Sequence, residues 1–138
     1  MKTSNFSRAG RLPGAISIAR GTPPWFRGPR FEELMPSWGL VNWGKAHIRK
    51  GDRATVAIRE YEQRYRQEVL ERLSPSTVAL VLADLCSGEA PNDPILLCWE
   101  APGEFCHRRI AAVWLEQALG IRVPELGFEP KVGGPDGH

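Results

Sequence analysis

Ile95-Leu96-Leu97-Cys98-Trp99 is an unbroken apolar run of strand length, entered from Pro94 and left through the turn Ala101-Pro102-Gly103. A strand with one wet face alternates apolar and polar residues; a continuous run predicts a central strand covered on both faces. Beyond the turn, Ile110, Ala111, Trp114, Leu115 and Ala118 recur at helical spacing and Gly120 stops them, which predicts a helix over 105–119. Residues 121–126 then read as a short last strand.

Working upstream, Ser74-Pro75 is an N-cap and first-turn pair, and Val78, Val81, Leu82 and Leu85 carry a helix towards Gly88. Before it, Ile58, Tyr61, Tyr65, Val69 and Leu73 recur every three or four residues, predicting a helix over 53–73 with Asp52 as its cap. Residues 15–19, small and apolar between Pro13-Gly14 and Arg20-Gly21, predict the first strand. Residues 21–50 are dense in Gly and Pro yet carry Trp25, Phe26, Phe31, Trp38 and Trp43, the mark of a packed functional loop. Strand, loop, two helices, strand, helix, strand is the order of a small three-layer α/β domain with a mainly parallel, Rossmann-like sheet. Three strands make a small sheet, so a further strand is sought in the N-terminal arm or in residues 39–43. The expected layout is a basic arm over 1–13, one α/β domain over 14–127 and a Gly/Pro-rich tail over 128–138.

The length of 138 residues sets room for one core, and 42% hydrophobic with 25% charged residues excludes disordered, collagenous and coiled-coil classes. No apolar run approaches the roughly 20 residues of a membrane helix and the start lacks an apolar leader, so the expected location is the cytoplasm, with no membrane partner. Three cysteines do not make a disulfide framework, and read as reduced thiols or a site. The net charge of +2 hides a polarity: residues 1–66 hold 13 Lys or Arg against 5 acids, residues 67–138 hold 5 against 11. Of the 18 basic residues 14 are Arg, the better bidentate partner of phosphate, which suggests an anionic ligand; pairing with the acidic half is the plainer alternative.

In an open α/β sheet, ligands bind at the carboxyl edge of the strands. Cys98 ends the central strand and Cys106 opens the next helix, so both thiols belong near that edge. A thiol at a helix N-terminus beside Arg108 and Arg109 has the field of a low-pKa thiolate; the same place would equally receive a phosphate, or Cys106 could be an inert cap and Cys98 a small buried strand residue. Seven residues between the thiols do not match a thioredoxin-type pair, and a disulfide requires the turn to fold back. His107, one helical step of about 100° from its neighbours, could point away from them. Neighbouring Cys106 and His107 rarely serve one ion and no four-ligand spacing is present, so no metal and no cofactor is assigned. Glu100 and Glu104 flank the turn, Glu100 as the candidate acid or base and Glu104 as a surface carboxylate. Arg20 leaves the first strand at the same edge, and with Arg27 and Trp25 it would form a wall for a phosphate and a stacked base.

At these residues the chain resembles the domain-of-unknown-function 488 family. The similarity runs over Ile16-Ser17-Ile18-Ala19-Arg20 with Pro23-Pro24, over Tyr61, Tyr65 and Leu73, and above all over Leu96-Leu97-Cys98-Trp99-Glu100 with Phe105-Cys106-His107-Arg108; it extends to Val123-Pro124-Glu125. It implies a small α/β domain with the two cysteine segments at a shared site, and no particular reaction.

Two functions from different classes follow. The first is an enzyme for a phosphate-bearing substrate, a nucleotide or nucleic acid, with Cys106 as nucleophile or redox thiol beside Cys98 and Glu100, and with Arg20, Arg27 and Arg108 holding the anion. The second is a non-catalytic nucleotide or nucleic-acid binding module that uses the basic half and Trp25, its cysteines packed in the fold.

Overall fold

The computed structural model describes residues 1–86 and 93–127. Its sheet has three parallel strands, β1 (Lys2–Asn5), β2 (Ala15–Ser17) and β3 (Ile95–Cys98), in the order β1-β3-β2. β3 is central, as its continuous apolar run requires, and all four of its residues are buried. Thr3 and Ile16 stand on either side of Leu96, and Ser4 and Ser17 on either side of Leu97.

The pleat sorts these residues into two apolar clusters. Leu96 and Ile16 pack with Tyr65, Leu82 and Leu115 under α3 (Val56–Glu68), α4 (Pro75–Leu85) and α5 (His107–Leu119). Ile95, Leu97 and Ala15 pack on the other face with Phe6 and Ala9 of the short helix α1 (Phe6–Ala9) and with Phe26. The domain is α/β in three layers, with β3 buried at its centre.

The further strand is β1, within the segment read as an arm. Its sequence, Lys-Thr-Ser-Asn, carries no apolar pattern, and its buried Thr3 and Ser4 are placed by pairing with β3. Residues 39–43, the other place considered, are helical instead: Ser37 accepts from the Leu40 amide and caps α2 (Trp38–His47). Residues 121–126 do not form a strand. They contribute one bridge, Thr3 to Glu125, where Pro124 lacks the N–H that a longer ladder needs. The cap of α3 is Thr55, which accepts from Ile58, while the Asp52 carboxylate accepts from the Arg49 amide and closes a turn. α3 ends at Glu68, and a 3₁₀ turn over Leu70–Arg72 completes the stretch expected as one helix. β2 stops at Ser17, whose hydroxyl accepts from the Ala19 amide and whose backbone pairs outward with Arg30. Gly88 and the expected tail over 128–138 lie outside the described residues.

Candidate functional site

Three chain segments leave the sheet at its carboxyl edge: Ala19-Arg20 after β2, Trp99-Glu100 after β3, and Phe105-Cys106-His107 at the start of α5. With α2 and the turn after it they wall a cleft of about 720 Å³. Arg20, Cys98, Glu100 and Cys106, all singled out by sequence, border this one cleft, and so does His107.

The turn between β3 and α5 folds back. Gly103 takes a φ of 89° and the Glu104 amide donates to the Ala101 carbonyl at 3.0 Å. This brings Cys98 and Cys106 together as a disulfide, with their Cα atoms 7.6 Å apart. Cys106 is the extended N-cap of α5, and its sulfur is bonded to Cys98, so thiolate chemistry at Cys106 begins only after reduction. His107 Nε2 lies 2.7 Å from the Ile18 carbonyl, which can only accept. Nε2 therefore carries the proton, and the Nδ1 lone pair faces the Cys106 sulfur at 3.7 Å. Burial pushes the His107 pKa down to about 4, the Arg108 charge adds to this, and the Ile18 carbonyl opposes it.

Arg108 was expected to hold an external anion, and here the structure corrects the sequence reading. Its side chain is fully buried and paired with Glu125, Nη2 to Oε2 at 2.6 Å and Nε to Oε1 at 3.0 Å. Nη1 donates to Cys98 Sγ and Nη2 to the Ala101 carbonyl, each at 3.2 Å. The guanidinium is thus engaged inside the protein. Burial alone would raise the Glu125 pKa, but hydrogen bonds and charge from Arg108 outweigh it and hold the carboxyl below its ordinary range. Thr3 also donates to Glu125.

Arg27 and Trp25 are not at this cleft either. They border a separate depression with Arg11 and Cys86. Arg27 Nη1 donates to the Pro24 carbonyl at 2.7 Å, and Arg11 lies over the Trp25 ring at 3.8 Å. The wall imagined from Arg20, Arg27 and Trp25 therefore keeps only Arg20, whose Nε donates to the Pro36 carbonyl at 2.7 Å.

Other residues fill those roles in the cleft. Trp38 and Trp99 border it with 56% and 53% exposure, large for indoles; Trp99 is oriented by its Nε1 donating to Gly21 at 2.8 Å. Lys45, Arg49 and Lys50 bring three exposed cations, and among the described residues none of them forms a salt bridge. They are close in sequence, but their place at the cleft follows from α2, which ends at His47 and carries Lys45 in its last turn. Tyr61 borders the cleft from α3, packed edge-on against Phe105 at 5.2 Å. Burial, then the charges of Glu100 and Glu68, push its phenol well up, so it is a proton donor at any ordinary pH.

The family model described as the Active DUF488-N3 subclade matches residues 20–119, which hold every cleft residue named above except Ala19. No curated protein and no solved structure matches the chain.

Proposed function

The chain belongs to the active DUF488-N3 subclade, and from that premise we propose that it is an enzyme for a phosphate-bearing substrate, a nucleotide or nucleic acid, bound in the cleft at the carboxyl edge of the sheet. The observation that carries the reading is the meeting of three exposed cations, without a salt bridge among the described residues, with two half-exposed tryptophans around a single cleft. Charge-assisted hydrogen bonds contribute roughly 1.5–3 kcal/mol each, and base stacking on an indole about 1–3 kcal/mol. Lys45, Arg49, Lys50 and Arg20 take the phosphate, and Trp38 or Trp99 takes the base. Glu100 is the acid or base, with the protonated Tyr61 as a second donor beside it. The description of the family as active also favours catalysis. Two features favour a binding module instead: both thiols are joined in a disulfide, and Arg108 is satisfied by Glu125.

Two of the five tryptophans line the cleft, so binding is read from indole fluorescence as nucleoside phosphates or short oligonucleotides are added at low salt. Saturable quenching that weakens with salt is expected. Arg20→Ala with Lys50→Ala should lose about tenfold or more in affinity, and Arg27→Ala should lose nothing. Absence of saturable binding by nucleotide and oligonucleotide alike overturns the reading. Chromatography of the incubated substrate separates enzyme from module, since only an enzyme alters it.

A further inference from the structure

We infer that, once the Cys98–Cys106 bond is reduced, the two thiolates and His107 Nδ1 form a site for one soft divalent cation of the zinc type on the wall of the cleft. This does not rest on what the cleft binds. All three residues are buried, and their ligating atoms lie within 4.8 Å of one another.

The distances suit a tetrahedral ion. Bonds of about 2.3 Å to sulfur and about 2.0 Å to nitrogen place those two atoms roughly 3.5 Å apart, and two ligating sulfurs about 3.8 Å apart. Cys106 Sγ and His107 Nδ1 already stand at 3.7 Å. The Cα atoms of Cys98 and Cys106, 7.6 Å apart, exceed the roughly 4.4–6.8 Å usual for a disulfide. That backbone separation leaves room for the reduced sulfurs to part by side-chain rotation. Neighbouring residues reach one ion here because Cys106 is an extended N-cap, φ −158° and ψ 147°, while His107 already begins the helix.

The surroundings also match those of ligands. His107 Nε2 is tied to the Ile18 carbonyl, which fixes the ring and leaves Nδ1 to bind, and Arg108 Nη1 donates to Cys98 Sγ. Such outer hydrogen bonds orient and tune metal ligands. The Arg108 charge is matched by Glu125, and two thiolates neutralise a divalent ion, so the buried group carries no net charge. Thiolate and imidazole select zinc or cobalt over magnesium or calcium. Three protein ligands leave the fourth position to water or a cleft ligand, the arrangement of a catalytic rather than a closed structural site.

Formation of the site is balanced with a phosphine reductant. The phosphine takes an oxygen from water to become its oxide, and two electrons and two protons convert the disulfide to two thiols. Metal binding then releases both thiol protons to solvent. The full chain, reduced under argon, is titrated with cobalt(II) as the probe. One equivalent should produce a thiolate-to-cobalt charge-transfer band and intense visible bands of tetrahedral cobalt, displaced by zinc, whereas the oxidised chain should produce neither. Zinc should then slow alkylation of Cys98 and Cys106 about tenfold or more, read by peptide mass spectrometry, and leave Cys86 unprotected. A reduced chain without the charge-transfer band, or zinc protection that falls on Cys86 instead of the pair, overturns the inference. Both measurements use the unaltered protein, so neither depends on a variant folding.

Discussion

Removal of the Glu125 carboxylate should be among the most damaging single changes available in this chain. Glu125→Ala leaves the Arg108 guanidinium fully buried with no counter-charge and strips it of contacts at 2.6 and 3.0 Å. Breaking a buried pair on one side costs about 3–5 kcal/mol, a large share of the roughly 5–15 kcal/mol that holds a domain folded. In a chain of this size that is a fall in melting temperature of roughly 10–20 °C. Urea unfolding followed by circular dichroism measures it directly. Two further variants isolate the cause. Glu125→Gln keeps an acceptor but not the charge, and should cost less, about 2–3 kcal/mol. Arg108→Met with Glu125→Leu removes both charges and should cost well below the sum of the two single changes. The exposed pair Glu60–Arg64, at 2.6 Å with side chains 43% and 41% exposed, is the control: Glu60→Ala should cost about 0.3–0.5 kcal/mol. A loss under about 1 kcal/mol in Glu125→Ala would show that Arg108 finds water or another partner, and the account of a sealed ion pair would fail.

His107 should make the fold sensitive to mild acid. Its pKa is about 4 in the fold against 6.5 unfolded, so the unfolded chain binds the extra proton between those values. Stability is therefore full above about pH 6.5 and falls by about 3 kcal/mol as pH drops towards 4, and urea midpoints that stay constant across that window would contradict it. Glu125 acts lower: its stabilisation is present above the ordinary carboxyl value of 4.5 and is lost only as pH falls through its depressed folded value, which a further drop in midpoint below the His107 window would register. Thiol counting supplies the last test. The unreduced, denatured chain should react with one equivalent of alkylating reagent, at Cys86, and that thiol should react slowly in the native state because burial raises its pKa; three rapid equivalents without reductant would exclude the disulfide.

The sequence by itself determined the elements whose signal is local. The run Ile95–Cys98 has the pattern of a doubly covered strand, Ser74-Pro75 that of a helix start, and Gly120, at φ 66°, that of a helix end. Periodicity and caps act within a few residues, so they are legible without coordinates. The parallel strands also placed Arg20, Cys98, Glu100 and Cys106 near one sheet edge before any distance was known. Only the tertiary structure decided which charges face the cleft. Arg108 and Arg109 are neighbours of the same type, yet Arg108 closes on Glu125 while Arg109 reaches Thr3 and the Val123 carbonyl. β1 has no apolar pattern to betray it, because its place comes from hydrogen bonds to a strand some ninety residues away. The same holds for the disulfide, which depends on the fold of the turn and not on the spacing of its cysteines, and for Trp38 and Lys45, brought to the site by a helix the Gly-rich sequence conceals, with Lys50 in the turn that follows it. Contacts across long loops are set by which partner lowers the energy of burial, and that comparison exists only when the whole chain is packed.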